Sequence, residues 1–363
     1  MASFMESFGA FEAWLEAELK GDLFQPDRDK KHTKMQDNAF AFLRATYWRW
    51  AETILEICPE LSDAPVVVAI GDTHLENFGT WRDVEGRLVW GANDFDDAAP
   101  MPYALDLVRL AVSAALARND ETTSVREICE TILGGYRLGL NKLEPIILDE
   151  EHRNLRENLV MPENERQKFW DKLEKAPHEL RGTQPAYEFA LHDALPEINP
   201  TFSFARRSAG TGSLGRPRFA GTVRWKGGNV VREAKRLVQS AWLLAHSSGD
   251  HTIFTESIAK GRQRSPDPHY QVTGSIIVRR LSPNSRKIEV EDDREIILSH
   301  DMLEFMGREI ANCHAHDATA FAAVVGDLEH RGSEWLCDAV KKVRPIVEAD
   351  YEEFKDNFPL NRQ

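Results

Sequence analysis

Two short runs of β-branched and apolar residues, each halted by a turn former beside an acid, set what this chain can fold into. Ala64-Pro65-Val66-Val67-Val68-Ala69-Ile70 stops at Gly71 and hands over to Asp72, and Arg87-Leu88-Val89-Trp90 runs up to Asn93-Asp94. Brief runs of this composition read as buried strands, so both acids are delivered to loops at strand ends. Asn77 follows Asp72 in the first loop, and two carboxylates and one carboxamide can therefore converge on one edge. Hard oxygen ligands suit Mg²⁺, which takes one or two protein carboxylates together with substrate phosphates. With Asn77 and Asp94 on the metal, Asp72 is left to orient or deprotonate an attacking hydroxyl. Singly, Asp72 and Asn77 also fit ordinary turn caps.

Gly71-Asp72-Thr73-His74-Leu75-Glu76-Asn77 resembles the His-Gly-Asp-x-His-x-x-Asn loop of aminoglycoside and choline phosphotransferases, members of the protein-kinase-like superfamily; Ile70 stands where those enzymes have His. Asn93-Asp94-Phe95-Asp96-Asp97, followed by Asp106-Leu107, is similar to their Ile-Asp-Trp/Phe-Glu/Asp segment and its downstream Asp-Leu. The spelling is closer still to a bacterial group, domain of unknown function 2252, and that likeness runs from about residue 30 to residue 355, taking in Lys34-Met35, Phe40-Ala41-Phe42-Leu43-Arg44 and Ala311-Asn312-Cys313-His314-Ala315-His316. The resemblance implies a catalytic set of Asp72, His74 and Asn77, with Asp72 as base and His74 supporting the loop. It also implies Asn77 and Asp94 as metal ligands, Asp96 and Asp106 as structural support, and ATP with Mg²⁺ as cofactors. The acceptor it implies is a small-molecule hydroxyl.

Gly210-Thr211-Gly212-Ser213-Leu214-Gly215 is the second informative segment. A dinucleotide fold needs a helix opening at the last glycine. Here a strand-like run to Trp225, a Lys226-Gly227-Gly228-Asn229 turn and a second strand-like run follow instead, which reads as a β-hairpin. A kinase glycine-rich loop is built on such strands, and the next strand brings a lysine to the phosphates. Gly210, Gly212, Ser213 and Gly215 are the expected nucleotide-binding positions, with Arg232 and Lys235 competing as the cation. Arginine grips phosphate as a fork and is not equivalent to a lysine point charge.

Order along the chain is unusual, because the catalytic loop precedes the hairpin. Phe8, Phe11, Leu15 and Leu19 recur at helical spacing, as do Phe40, Leu43, Tyr47, Trp50 and Ile54 within 34–57, so no β lobe fits ahead of Asp72. The expected fold is α+β, a circularly permuted kinase-like arrangement. Residues 1–200 would hold the N-terminal helices and the catalytic part of a large lobe, 201–290 a small antiparallel β lobe, and 291–363 the helices that complete the large lobe. Within these, helices are expected at about 107–117, 123–141, 236–246, 301–316 and 334–354, strands near 270–273 and 275–281, and Pro-punctuated helices with loops over 142–200. His314 and His316 lie too close in sequence to share one helix face, which favours a structural role over a metal site.

A net charge of −14 argues against nonspecific binding of nucleic acid or anionic membrane. The run from Arg206-Arg207 to Arg216 and Arg218 sits beside the glycine segment, where an ATP site can use it. Four scattered cysteines within apolar stretches, and an N-terminus with Glu6 and Glu12 but no apolar core, fit a cytoplasmic protein. No run reaches the ~20 apolar residues of a membrane helix. The leading expectation is a Mg²⁺- and ATP-dependent phosphotransferase. A nucleotide-binding regulator without turnover, supported by Arg232 in the lysine position, stays open beside it. So do a kinase-like enzyme transferring AMP and a metal-dependent phosphohydrolase built on Asp72, His74, Asp94 and Asp96.

Overall fold

Four helices come first in the computed structural model, which describes residues 2–118, 124–160, 162–179, 182–196, 201–247 and 249–358. They are α1 (Phe4–Leu19), α2 (Gln25–Lys34), α3 (Ala39–Ala45) and α4 (Tyr47–Ile57). A capping box between Ser3 and Glu6 starts α1, satisfying backbone donors that the first turn leaves open. The stretch 34–57, expected as one helical run, is divided because Asn38 caps α3 and Thr46 interrupts before α4.

The strands β1 (Val66–Ala69), β2 (Phe78–Arg82), β3 (Leu88–Ala92), β4 (Ala99–Pro102) and β5 (Ile146–Ile147) make two small antiparallel sheets, β1-β4 and β2-β3-β5. β2 and β4 carry no strong sequence signal, and β2 decides the site. It pairs with β3 so that Phe78 faces Ala92, which puts Asn77 and Asn93 side by side, with Asn93 N–H donating to Asn77 O at 3.1 Å.

The third sheet contains β6 (Ser203–Arg206), β7 (Arg218–Trp225), β8 (Gly228–Arg236), β9 (Gln271–Thr273) and β10 (Ile276–Leu281) in the order β6-β7-β8-β10-β9, all antiparallel. Lys226 and Gly227 both have positive φ, the backbone of a two-residue hairpin turn whose twist matches its strands. The helix expected from residue 236 is shorter than its pattern. Arg236 remains in the sheet, its N–H donating to Pro217 O and that of Leu237 to Ser275 O, and helix resumes only after Ser240.

The remaining helices are α5 (Ala104–Ala117), α6 (Val125–Asn141), α7 (Arg153–Leu159), α8 (Glu163–Glu174), α9 (Pro185–Ala194), α10 (Ala241–His246), α11 (Thr255–Ala259), α12 (Arg294–Ile297), α13 (His300–His314), α14 (Ala318–His330) and α15 (Trp335–Asn357). The beginning of the helix expected from residue 123 lies outside the described residues. Every residue of α5 except Leu116 is buried, so it runs through the centre of the main core, carrying Asp106, Arg109 and Ser113 there among its apolar residues. A second, smaller core lies against one face of the five-stranded sheet, where Tyr187, Leu191 and Leu195 meet Phe204, Phe219 and Ile276. That core draws on α9, ahead of residue 201. Overall the molecule is α+β, 51% helix and 15% strand, and no helix among the described residues is long and apolar enough to cross a membrane.

α6 and α13 cross through a seam of small residues. A methyl group on Gly135 would overlap the Glu304 carbonyl, one on Gly307 the Ile132 carbonyl, and one on Gly139 the Arg308 carbonyl. Adjacent Gly134 has open space around it. Two neighbouring substitutions should therefore have opposite signs. Gly134→Ala is expected to stabilise by about 0.5–1 kcal/mol, and Gly135→Ala to destabilise by about 1–3 kcal/mol through overpacking, read by urea unfolding. Equal effects at both positions would show that the seam does not hold the helices together.

Candidate active site

The loop after β1 is held from beneath. Asp106, in the first turn of α5 and fully buried, accepts hydrogen bonds from Ile70 N–H at 2.7 Å and Gly71 N–H at 2.9 Å. Its Oδ2 also lies 2.9 Å from His314 Nε2, and His314 Nδ1 lies 2.9 Å from the Tyr136 hydroxyl. Both ring nitrogens of His314 are thus occupied within the core. Gly71 has φ +85°, and a side chain there would overlap the Asp97 carbonyl and the Tyr47 hydroxyl. Only glycine fits a backbone turned this way under such crowding.

Asn77 joins the two acidic loops. Its Nδ2 donates to the carbonyls of Asp72 at 2.9 Å and Asp94 at 3.0 Å, and its Oδ1 accepts from Asp94 N–H at 3.1 Å. That leaves one Oδ1 lone pair for a ligand. His74 Nδ1 accepts from Glu76 N–H; burial, then the charges of Arg44 and Arg109, hold it well below its usual pKa, so it is neutral at pH 7. Glu76 pairs with Arg44 at 2.6 Å and accepts Val290 N–H at 2.9 Å.

Asp72 Oδ1 receives two hydrogen bonds from Arg109, from Nε at 3.0 Å and Nη2 at 2.6 Å. The guanidinium is itself clamped between the rings of Tyr47 and Trp50 and donates to Leu43 O. Burial raises the pKa of Asp72 and Arg109 opposes the rise. Arg109 had no motif to mark it, beyond following Asp106 on the same helix.

Lys235 on β8 reaches across from the five-stranded sheet, its Nζ 2.5 Å from Asp96 Oδ1 and 3.4 Å from Asp94 Oδ1. Burial disfavours ionisation of Asp94, but Lys235 and then Lys287 overcome this and hold it well below the usual carboxylate range. Burial and the neighbouring charge of Asp94 raise Asp96. Arg216 adds a longer contact to Asp96 at 3.7 Å. Arg232 faces the other way, donating to the carbonyls of Ala194 and Val231. Strand alternation separates it from Lys235, because residues three apart point to opposite faces.

The glycine-rich segment joins β6 to β7 and lies over Asp72. A methyl on Gly212 would come 3.5 Å from Asp72 Oδ2, and Ser213 Oγ accepts from Arg218 Nη2 at 2.7 Å. Gly210 and Gly215 have positive φ, and Gly215 O accepts from Phe24 N–H at 2.9 Å, tying the loop to the α1–α2 connection. Gly210, Gly212, Ser213, Asp72, His74, Asn77, Asp94 and Asp96 all line one cavity of about 690 Å³. Asp72 and Asp94 keep 22% and 32% of their side-chain exposure, so a ligand can reach both. Twelve cationic side chains and nine carboxylates line this cavity, the reverse of the chain's overall charge of −14. Among them, Lys31 and Lys287 lay outside the sequence reading, and burial pushes Lys287 down to about 8. Both sit in segments without motif or strong periodicity.

Among the described residues no group of three or more His, Cys, Asp or Glu side chains forms a metal cage. Asp94, ionised and accessible, with the spare lone pair of Asn77, fits the sparser set that Mg²⁺ takes beside substrate phosphates. Replacing Arg109 by Met should leave Asp72 buried without its counter-charge and raise its pKa further. Carbon-13 titration of labelled aspartate carboxyls would read this; an unmoved Asp72 resonance would sink the assignment of Arg109 as its partner.

Residues 28–190 match a protein family described as "Uncharacterized protein conserved in bacteria (DUF2252)". The matched span contains both acidic loops and ends before β6, so the likeness expected as far as residue 355 is found over this part of the chain. No curated protein and no solved structure matches the chain.

Proposed function

We propose that the protein is a kinase-like phosphotransferase, using a Mg²⁺-bound nucleoside triphosphate such as ATP to phosphorylate a small hydroxyl compound. The observation that carries this reading is the contact of buried Lys235 with Asp94 and Asp96, two acids that line the cavity where Gly212 also closes over Asp72. Protein kinases place a glycine-rich loop over the phosphates and a lysine on the third strand, with a metal-holding Asp and a base Asp beneath. Here the glycine-rich segment joins the first two strands of the five-stranded sheet and Lys235 lies on the third. A circular permutation accounts for the order of the parts. Support for it comes from the contact between α1 and α15, where the Phe4 and Phe354 rings lie 5.9 Å apart and Met5 N–H donates to Glu353. Elements far apart in sequence that pack side by side are what a permuted order needs.

In this reading Asp94 and Asn77 would hold the metal, which would supply neutralisation of phosphate charge. Lys235 moves from Asp94 and Asp96 to the phosphates. Asp72, fixed through Oδ1 by Arg109, presents Oδ2 to the acceptor hydroxyl. The acceptor oxygen bonds to the terminal phosphorus as the bond to the leaving diphosphate breaks, and the hydroxyl proton passes to Asp72. The acceptor would lie against the wall formed by Phe11, Trp14, Trp48 and Lys31, which line the same cavity.

Transfer from labelled ATP into a panel of hydroxyl compounds is the direct test. Asp72→Asn should reduce transfer by at least about 100-fold, the lower end of what a general base contributes, with Mg-ATP affinity retained. Asp94→Asn should weaken that affinity. Lys235→Met should impair turnover, whereas Arg232→Met should leave it near native. Native turnover in both aspartate variants would rule out the assigned chemistry.

A further inference from the structure

The face of the five-stranded sheet that carries Lys235 also carries a second cluster of buried charge. Glu233 is fully buried on β8, two residues before Lys235 and on the same face. Three arginines converge on its carboxylate. Arg218 Nη1 donates to Oε1 at 3.0 Å, Arg279 Nε donates to Oε1 at 2.8 Å, and Arg207 Nη1 donates to Oε2. Register explains the convergence: Arg279 pairs with Glu233 across β10 and β8, while Arg218 pairs with Lys235 across β7 and β8. All three arginines line the cavity that holds Asp72 and Asp94. Their side chains retain 26%, 4% and 21% exposure for Arg207, Arg218 and Arg279, and Glu233 retains none.

One carboxylate therefore faces three guanidiniums, and Lys235 continues the row toward Asp94. A buried cluster with two positive charges in excess is costly unless an anion compensates it. Guanidinium forks suit oxyanions geometrically, donating to two oxygens of one phosphate. Glu233 orients the forks without neutralising them.

We propose that Arg207, Arg218 and Arg279 form a phosphate subsite, separate from the phosphate position at Lys235 and Asp94. A polyphosphate chain would lie along the row from Asp94 past Lys235 to these arginines, with its far end beneath the sheet. The ligand class is a polyphosphate, supplied by a nucleoside triphosphate or by an inorganic chain. The subsite rests on the proposed function only for the identity of the donor, because binding can be measured without transfer.

Isothermal titration of the full chain with inorganic tripolyphosphate, ATP and adenosine, in the presence of Mg²⁺, is the test. Tripolyphosphate should bind and displace ATP, and adenosine should not. Arg207→Met and Arg279→Met should each weaken tripolyphosphate by about tenfold or more, the loss of a charged hydrogen-bonding partner, with Arg279→Lys recovering part of the loss. Thermal unfolding identifies any variant that fails to fold; Arg207, the most exposed of the three, is the variant to fall back on. Competition by adenosine with none from tripolyphosphate would overturn the subsite, as would native tripolyphosphate affinity in folded Arg207→Met. Tripolyphosphate binding lost in that variant, in a protein that transfers phosphate to no acceptor, would support the subsite and remove the phosphotransferase reading alone. If tripolyphosphate displaces ATP but adenosine does too, the phosphates do not dominate recognition and the subsite is wrong.

Discussion

A single carboxylate inside the main core fixes the position of the loop after β1. Asp106 takes the backbone N–H groups of Ile70 and Gly71 and the ring of His314, so the loop after β1, α5 and α13 share one anchor. With Tyr136 behind His314, α6 joins the same chain of hydrogen bonds. A charge buried this deeply survives only when its oxygens are satisfied, and removing one partner of such a set costs about 3–5 kcal/mol. The rest of the site builds outward from that anchor. Gly71 turns the chain where no side chain fits, Asn77 joins the loop to the end of β3, and Arg109, one turn of α5 after Asp106, holds Asp72.

The second structural theme is charge crossing between the two hydrophobic cores. Lys235 belongs to the sheet that carries the smaller core, while Asp94 and Asp96 belong to the loop against the larger one. Phe24 N–H on Gly215 O and the Arg206 guanidinium 4.3 Å from the Phe24 ring add a further tie between the N-terminal helices and the sheet. Polar contacts of this kind orient two surfaces without filling the space between them, and the 690 Å³ cavity persists there.

Much of the acidic half of the site was legible, for a physical reason. Asp72 and Asp94 follow short apolar, β-branched runs that favour strands, and the glycine after the first run marks the turn. The pairing of Asn77 with Asn93 was hidden, because it depends on β2, whose Phe78–Arg82 run has no alternation to reveal a buried strand. The glycine-rich hairpin was legible from its turn residues. Whether Arg232 or Lys235 faces Asp94 and Asp96 was not, since it depends on strand phase: shifting the phase by one residue would exchange them. The helix expected from residue 236 begins only at Ala241 because sheet hydrogen bonds at Arg236 and Leu237 overrode local propensity.

Short stretches of the chain carried the local chemistry: which residues end strands, where the chain reverses, and which acids lie beside those ends. Those properties depend on a few neighbouring residues and on backbone sterics. Tertiary structure alone decided which charges meet. Arg109 finds Asp72, His314 finds Asp106, and Arg207, Arg218 and Arg279 find Glu233 across separations of 37, 208, 26, 15 and 46 residues. No local pattern encodes contacts over such distances; they arise where helix crossing and strand register bring side chains together in a desolvated interior that makes each pairing matter.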